Sequence, residues 1–544
     1  MKTYLKMLLL VLVTLAVLIT GCSPAATPET RGRTGSQDLQ PVYYEEVEAP
    51  VEEEAGAPLP APTATALDAP VGPSTGGTDE PNDQPYGDVF FEEYGVNPRV
   101  DTQDDHLSTF AVDVDTASYT VMRRHIGDGY LPPDESVRVE EYVNFFDQEY
   151  APPDRGAFAI HLEGAPSPYA ANYHLVRVGL KGYEVSPEER KDVVLTFVID
   201  VSGSMDMENR LGLVKQALSL LVESLRPEDK VGIVVYGSRA RTILEPTQLD
   251  GNYRKVFRAI DSLRPEGATN AEEGLVLGYR MATQAFEPEA VNRVILCSDG
   301  VANVGNTGPD SILAQIRRHA GEGIYLTTVG FGMGNYNDVL LERLANDGDG
   351  FYAYVDDIRE AERVFVKNLT STLQVIARDA KVQVDFNPEV VRSYRLLGYE
   401  NRDVADEDFR NDEVDAGEIG VGHSVTALYE VKFEAGAPES ATALTVYLRW
   451  EDPDTREVIE MNRSFAALDF AREFELTSPR FQLTTIVAQY AEVLRESYWA
   501  KEMGTTLEEL APQARRIAEY LPEDEEVQEF ADLVTRAVRL SPTQ

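Results

Sequence analysis

The segment Val194-Leu-Thr-Phe-Val-Ile-Asp200-Val-Ser202-Gly-Ser204-Met205 joins a short apolar run to a carboxylate and two hydroxyl groups. The run does not alternate with polar residues and is too short to cross a membrane, so it predicts a buried strand of a parallel sheet. Ser202 and Ser204 follow Asp200 at every second position, and Gly203 allows the backbone to approach a neighbour closely. Three hard oxygen ligands at one strand end predict a site for Mg²⁺ or a similar ion.

Two further segments supply oxygen ligands downstream. Gly267-Ala-Thr269-Asn270 precedes a helical stretch, and Val294-Ile-Leu-Cys-Ser-Asp299-Gly300 is a second apolar strand that ends at a carboxylate. In a doubly wound α/β sheet, the loops at the carboxyl ends of neighbouring strands meet in one crevice. We therefore expect one ion to be shared by Asp200, Ser202, Ser204, Thr269 and Asp299.

These motifs resemble the metal-ion-dependent adhesion site of von Willebrand factor type A domains. The resemblance rests on the Asp-x-Ser-x-Ser pattern that begins at Asp200, the threonine loop and the Ser-Asp-Gly strand end. It implies that Ser202, Ser204 and Thr269 contact the metal directly, whereas Asp200 and Asp299 hold it largely through water. The alternative is that Asp200 and Ser202 only cap the following helix.

The charges of such a site indicate how it is used. Two carboxylates formally balance a divalent ion and the hydroxyl groups add no charge, so the ion stays electrophilic. We expect Mg²⁺, with Mn²⁺ or Ca²⁺ as alternatives, and a protein partner whose Asp or Glu carboxylate completes the metal shell. No organic cofactor is expected, since the stretch Gly330-Phe-Gly332-Met-Gly334 lacks the dinucleotide fingerprint and a phosphate-binding lysine.

Two other functions remain open at this point. A Mg²⁺ site at a strand end also suits a metal-dependent hydrolase acting on a phosphorylated substrate. The loops supply no obvious nucleophile and base pair, so we predict that the protein is not an enzyme. In the other alternative, a structural scaffold, the metal is a staple, and Asp200→Ala is then expected to unfold the domain.

The N-terminus predicts export. Residues 1–21 have the layout of a secretory signal, with two lysines before an apolar run. The sequence Ile19-Thr20-Gly21-Cys22 resembles a bacterial lipobox, which implies that Cys22 is lipidated and becomes the first residue of the mature protein. A transmembrane anchor is the alternative, but the run is short for a bilayer. We expect a cell-envelope protein that is lipid-anchored to a membrane on its extracytoplasmic side.

Residues 22–85 predict a disordered tether. Pro, Ala, Thr, Gly and acidic residues dominate there, and no apolar period survives. The chain of 544 residues carries a formal net charge of −44. This acidity argues against nucleic acid and anionic lipid headgroups as partners, because both need clustered Lys and Arg. Contact with a membrane is therefore expected only through the lipid anchor.

The remainder divides by hydrophobic period. Residues 188–370 alternate apolar strands with helical stretches, the last over 358–369, which predicts a doubly wound, mostly parallel α/β domain. Alternation with period two predicts strands within 86–187 and 371–475. Neither group is large enough to bury both faces alone, so we expect one β-sandwich with the α/β domain inserted into it. Residues 476–544 have helical spacing and predict a small terminal bundle.

The flanks also resemble a family of bacterial von Willebrand factor type A lipoproteins. Residues 109–119 and 138–146 are similar to the N-terminal segment of that family. Residues 394–402 and 415–423 are similar to the domain of unknown function that follows its metal domain. The resemblance covers nearly all of 86–544 and implies no activity for either flank.

Overall fold

The computed structural model describes residues 91, 94–112, 115–186, 189–300, 309–332, 338–367, 373–412, 414 and 416–541. The predicted signal peptide, Cys22 and the predicted tether lie outside these residues. Within them, no helix is both long enough and apolar enough to cross a bilayer.

The strands and helices follow the chain from the N-terminal region to a helical C-terminus. The strands are β1 (Val100–Asp101), β2 (Leu107–Ala111), β3 (Phe158–Pro166), β4 (His174–Gly182), β5 (Val193–Asp200), β6 (Lys230–Tyr236), β7 (Ala240–Gln248), β8 (Val291–Ser298), β9 (Ile324–Phe331), β10 (Tyr352–Val355), β11 (Val375–Phe386), β12 (Val391–Leu397), β13 (Gly417–Gly420), β14 (Ser424–Phe433), β15 (Thr442–Glu451) and β16 (Val458–Ala466). The helices are α1 (Ala117–Asp128), α2 (Val139–Asn144), α3 (Arg210–Ser224), α4 (Tyr253–Ser262), α5 (Ala271–Ala285), α6 (Pro309–Gly321), α7 (Asp338–Asn346), α8 (Ile358–Glu362), α9 (Pro479–Leu494), α10 (Tyr498–Met503), α11 (Leu507–Tyr520) and α12 (Glu525–Leu540).

The central sheet is doubly wound and mostly parallel, as predicted. Its strand order is β10-β9-β8-β5-β6-β7, and the first five of these strands are parallel neighbours. All residues of β5 are buried. A strand in the middle of a parallel sheet has helices over both faces, so both sets of its side chains must be apolar. This burial explains why the β5 sequence does not alternate.

Side chains of β5 divide between two apolar cores. Leu195, Phe197 and Ile199 pack in a core that includes residues of α3 and α4. Val198 packs on the opposite face, in a core that includes residues of α5, α6 and α7. The two cores hold the carboxyl end of β5 in place from both sides.

The edge strand β7 is absent from the sequence-based expectation. It pairs antiparallel with β6, and most of its residues are half-buried or exposed. Pro246 lies within it, which suits an edge because proline cannot donate a hydrogen bond to a second neighbour. A half-exposed edge strand lacks the apolar run that predicted the inner strands.

The helix predicted over 358–369 is present as far as Lys367, but it changes type after Glu362. Helix α8 ends there and a π-helical turn, Arg363–Lys367, follows; residues 368–369 lie outside the described ranges. The Arg363 guanidinium donates to Thr116 Oγ1 at 2.8 Å and lies 4.4 Å from the ring centroid of Phe145. Both partners belong to the N-terminal region. The end of this helix is therefore held by long-range contacts, which the hydrophobic period of its own sequence cannot predict.

Two antiparallel sheets flank the α/β domain. One has the order β1-β12-β14-β4-β3, and the other has the order β13-β11-β15-β16 with β2 also paired to β11. Strand β4, which precedes the α/β domain, pairs along its length with β14, which follows it. The two sheets share one apolar core, in which the Phe158 and Trp450 rings lie 5.0 Å apart. The expected insertion of the α/β domain into one β-sandwich is confirmed.

The terminal helices pack more completely than their sequence period predicts. Helix α9 is buried nearly all round, because α2, α11 and α12 surround it. Its Tyr490 ring lies 6.3 Å from Tyr142 and 5.5 Å from Phe530. Burial alone would raise the pKa of Glu492 on this helix, but Arg495 and Arg395 outweigh that effect and lower the pKa to about 2. The bundle is therefore part of the folded body and not an appendage.

A buried arginine joins the two ends of the chain to the α/β domain. Arg123 on α1 donates to Asp356 at 2.5 Å and to Glu360 at 3.0 Å, and both carboxylates follow β10. Its other nitrogen contacts Glu529 of α12 at 3.2 Å. Because removal of one partner from a buried ion network leaves uncompensated charge, these contacts tie three regions together.

The shared β-sandwich gives a direct test by truncation. A fragment of residues 86–187 lacks β14, the strand that pairs with β4, and half of the core, so we expect it to be unfolded. Its amide NMR spectrum should show narrow dispersion, whereas residues 86–544 should show a folded circular dichroism spectrum and one cooperative melt. A dispersed spectrum from the fragment alone would contradict the insertion.

Candidate metal centre

Asp200 lies at the carboxyl end of β5 and is fully buried. Its Oδ1 accepts a hydrogen bond from the Ser202 backbone N–H at 2.7 Å. Its Oδ2 accepts from Ser298 Oγ, at the end of the adjacent strand β8, at 3.1 Å. These bonds fix the carboxylate between two strand ends, which is the position that the sequence predicts.

The two serines after Asp200 turn back toward each other. Ser202 Oγ and Ser204 Oγ lie 3.0 Å apart, and a short 3-10 helix, Gly203–Asn209, carries the chain from this turn into α3. The Ser202 side chain makes no capping hydrogen bond to that helix. The hydrogen bonds therefore do not support the alternative that Ser202 only caps a helix. The hydroxyls of Ser202 and Ser204 lie after the strand end that carries Asp200.

The loop that carries Thr269 lies against the Asp200 loop. The Gly203 N–H donates to Gly267 O at 3.1 Å, and the Glu266 N–H donates to Val201 O at 2.5 Å. Thr269 is half-buried in this loop, and none of the hydrogen bonds described joins its hydroxyl to the other four predicted ligands. The backbone bonds thus bring the two loops together, with Thr269 two residues beyond the contact.

The tightest backbone approach to the Thr269 loop is made by Gly237 and not by Gly203. A Cβ added at Gly203 would meet Gly267 O at an ordinary 3.6 Å, whereas a Cβ added at Gly237 would lie 2.4 Å from Glu266 O. Gly237 follows β6 and lies against Glu266, which is three residues before Thr269. The tight packing that positions this loop therefore depends on a residue outside the recognised motif.

Asp299 follows β8 and is nearly fully buried. Its Oδ2 accepts from Arg210 Nη1 at 2.7 Å. Its Oδ1 is buried and has no hydrogen-bond partner among the described residues. Because a buried carboxylate oxygen without a partner is costly, this atom has unused capacity to accept a proton donor or a cation.

Ionisation of both carboxylates at this site is energetically unfavourable. Burial raises the pKa of Asp200 to about 6, and the charge of Asp299 adds to the rise, while hydrogen bonds from Ser202 and Ser298 act in the opposite direction. Arg210 offsets one of the two carboxylates. The remaining charge would be compensated by a bound cation.

The donor set fits a hard divalent cation. It consists of carboxylate and hydroxyl oxygens, which are the ligands that Mg²⁺ and Ca²⁺ prefer over nitrogen or sulfur. In the described part of the chain, no three His, Cys, Asp or Glu side chains cluster closely enough to hold a metal by themselves. A metal at this place would therefore depend on the hydroxyls of Ser202, Ser204 and Thr269 as well as on the two carboxylates.

Two residues of the site were missed by sequence analysis. Ser298 Oγ lies 3.1 Å from Asp200 Oδ2 and 2.9 Å from Gly300 O, so its single proton can be donated to either acceptor. Its position directly before Asp299 was an available signal. Arg210 had no such signal, since it is separated from Asp299 by 89 residues and reads as an ordinary first residue of a helix.

The raised pKa of Asp200 predicts a pH-dependent loss of stability in metal-free protein. An acid whose pKa is higher in the folded than in the unfolded state lowers the free energy of unfolding as the pH rises between the two pKa values. For Asp200 this loss of stability runs from about pH 4 to about pH 6 and is complete above that range. Asp200→Asn cannot ionise and keeps an acceptor for the Ser202 N–H. We expect it to be more stable than the native protein by roughly 2–3 kcal/mol at pH 8, with little difference at pH 4.

Thermal unfolding of both proteins in chelator at the two pH values measures this difference. Ser298→Ala serves as a matched control, because it removes a hydrogen bond to Asp200 without removing the charge and should lower stability at pH 8. Equal melting temperatures of native and Asp200→Asn protein at pH 8 would contradict the charge conflict.

Three family models cover the folded part of the chain. The model described as von Willebrand factor type A domain matches residues 195–377. The model described as von Willebrand factor matches residues 86–177, and the one described as uncharacterized protein YfbK, C-terminal, matches residues 371–540. The order of the three matches follows the arrangement in which the α/β domain separates two flanking regions.

The chain is also similar to individual proteins. The chain is 25% identical to the uncharacterized protein sll0103 of Synechocystis sp. over 295 residues, which cover 53% of this chain and 68% of that protein. A solved structure, von Willebrand factor type A from Catenulispora acidiphila, covers 68% of this chain and 88% of its own at 16% identity, with a TM-score of 0.40.

A longer match determines the family. The chain is 34% identical to the uncharacterized protein YfbK of Escherichia coli (strain K12) over 436 residues, which cover 76% of this chain and 75% of that protein. The three family models together match the α/β domain and both of its flanks. This chain therefore belongs to the YfbK family, in which a von Willebrand factor type A domain lies between an N-terminal von Willebrand factor segment and a YfbK C-terminal domain.

Proposed function

We propose that this chain is a lipid-anchored cell-envelope protein that binds a protein partner through a divalent metal ion. The observation that carries the proposal is the buried Asp299 Oδ1, which has no hydrogen-bond partner among the described residues and lies in a site that also contains Asp200 and two serine hydroxyls. Arg210 offsets only one of the two carboxylates, and the remaining buried negative charge is costly unless a cation joins the site.

The proposed ion is Mg²⁺, with Mn²⁺ or Ca²⁺ as alternatives. Its holders would be Asp200, Ser202, Ser204, Thr269 and Asp299. When bound, it supplies an electrophilic position that can accept an Asp or Glu carboxylate of the partner. The residues of this chain hold the two loops together, keep the carboxylates buried and orient the hydroxyls through the Ser202–Ser204 contact.

An enzymatic use of the site has less support. The family descriptions name no reaction, and no hydrogen bond described here joins a histidine to any of the five predicted ligands. His319 stacks on Tyr279 at 4.5 Å, and burial lowers its pKa. A metal-dependent hydrolase would need a positioned general base beside the metal. A binding function therefore explains the site better than hydrolysis does, because it does not require a general base.

The lipid anchor rests on the N-terminal sequence. Cys22 lies outside the described residues, and its proposed lipidation follows from the lipobox-like sequence after an apolar signal. The acidic tether over 22–85 would then span roughly 45 Å as a flexible coil. Such a spacing would present the von Willebrand factor type A domain to partners away from the membrane surface.

Metal binding is tested by calorimetric titration of Mg²⁺, and then Mn²⁺, into chelator-stripped full-length protein in detergent. We expect saturable binding by the native chain and none by Asp200→Asn, because that substitution removes one of the two carboxylate charges. Circular dichroism must show that the variant is folded. If the variant instead unfolds, the metal or the carboxylate acts as a structural staple and the scaffold alternative gains support.

The partner is sought only after that result. Native protein with Mg²⁺ should capture a protein from envelope extracts, whereas Ser202→Ala, or native protein with excess chelator, should not. Capture that is equal in all three samples would show that the partner does not bind through the metal. Absence of binding of either ion by the native chain would remove the basis of the adhesion proposal.

The anchor is tested by labelling. Expressed in a bacterial host with radiolabelled palmitate, the native chain should carry label and sediment with membranes. Cys22→Ala should carry none and should not be processed at this site, because the acceptor thiol is absent. Ser23→Ala is the matched control and should stay labelled. An unlabelled native chain would contradict the lipidation.

A further inference from the structure

We infer that Arg210 sets the net charge of the proposed metal centre. Its guanidinium repels a divalent ion bound at Asp299, and it leaves the metal-loaded site with one surplus positive charge that attracts the partner's carboxylate. This inference rests on the proposed function. Arg210 lies outside the Asp-x-Ser-x-Ser motif, and its charge acts on both metal affinity and partner affinity.

The contact between Arg210 and Asp299 is short and dry. Nη1 lies 2.7 Å from Oδ2, and the side chains are only 5% and 1% exposed. An ion pair this buried is screened little by salt or water. The positive charge of the Arg210 guanidinium therefore acts on any ion that binds the same carboxylate. The pair is formed by a single hydrogen bond and leaves Asp299 Oδ1 unoccupied by any described group.

The fold gives this guanidinium a fixed place. Arg210 is the first residue of α3, directly after the 3-10 helix that contains Ser204. Its side chain lies against Gly332 at the end of β9, where an added Cβ would be 2.2 Å from Arg210 Nε. Gly332 also has a φ of +84°, so a larger residue is excluded there by both space and backbone conformation. The cation is thus built into the site by three elements.

Among the described residues, Asp299 is the single carboxylate that pairs with Arg210. Its Nε is buried and has no hydrogen-bond partner among the described residues, and Asp299 is the carboxylate with which it forms an ion pair. A divalent ion that binds Asp299 must therefore share that carboxylate with a guanidinium that has no other described carboxylate partner. A fixed cation beside a divalent ion weakens the binding of that ion by about tenfold, even with water-like screening.

The same charge favours the partner. Two carboxylates and one guanidinium give the metal-free site one net negative charge, and a divalent ion converts it to one net positive charge. A single carboxylate from a partner then makes the centre neutral. Without Arg210 the loaded centre would already be formally neutral and would attract an anion less strongly. The geometry thus couples weak metal binding to strong recognition of one carboxylate.

A merely positional role for Arg210 makes the opposite prediction. If the guanidinium served only to orient Asp299, its removal would disorder a metal ligand and weaken metal binding. The sign of the change in metal affinity therefore separates the two roles, and thermal unfolding separates either from a loss of fold.

The experiment is calorimetric titration of Mg²⁺ into full-length native, Arg210→Gln and Arg210→Lys protein at fixed salt. Arg210→Gln keeps a donor for Asp299 but removes the charge, and we expect its Mg²⁺ dissociation constant to fall by about tenfold. Arg210→Lys keeps the charge and should stay within about threefold of native. Unchanged or weaker Mg²⁺ binding by a folded Arg210→Gln protein would overturn the inference while leaving the metal site itself established.

A second arm uses acetate as the carboxylate probe. Mn²⁺-loaded native protein should broaden the acetate methyl proton line at several-fold lower acetate concentration than Mn²⁺-loaded Arg210→Gln protein. Equal broadening would overturn the surplus-charge argument. Binding of Mg²⁺ by Arg210→Gln alone would support the inference, whereas failure of all three proteins to bind either ion would overturn it together with the proposed function.

Discussion

The burial of two carboxylates at the ends of adjacent parallel strands is the constraint on which the rest of this site depends. Asp200 and Asp299 are nearly inaccessible to water, and two such charges repel each other strongly in a medium that screens them weakly. Every neighbouring feature reduces that conflict: the Ser202 N–H and Ser298 hydroxyl bond Asp200, and Arg210 pairs with Asp299. By formal charge, Arg210 offsets one of the two carboxylates and leaves one net negative charge at the strand ends.

The surrounding architecture keeps those strand ends in place. Two apolar cores enclose β5 from opposite faces, and the loop that carries Thr269 is bonded through its backbone to the loop that carries the serines. The flanking β-sandwich and terminal helices are joined to the same domain through Arg123 and its three carboxylate partners. The domain is therefore an inserted part of one folded body, with rigid support on both sides of the sheet.

Membership of the YfbK family assigns an architecture and no activity, since the relatives that define it are themselves uncharacterized. The proposed function thus comes from the chemistry of the site. The proposal of a divalent ion and a single external carboxylate rests on three features: hard oxygen ligands, a buried Asp299 oxygen without a partner among the described residues, and a fixed guanidinium. A nearby base for hydrolysis is missing from the hydrogen bonds described around it.

Sequence by itself determined the parallel α/β sheet, its inner strands and the order of the five predicted ligands, because a strand buried on both faces must be apolar throughout and functional loops must follow its carboxyl end. Tertiary structure decided what depends on residues far apart in the chain. The pairing of β4 with β14, the π-helical turn after α8 and the contact of Arg210 with Asp299 across 89 residues leave no local period or motif. These contacts form only when the folded chain brings distant segments together. At Asp299, the need for a compensating charge cannot be seen in either segment by itself.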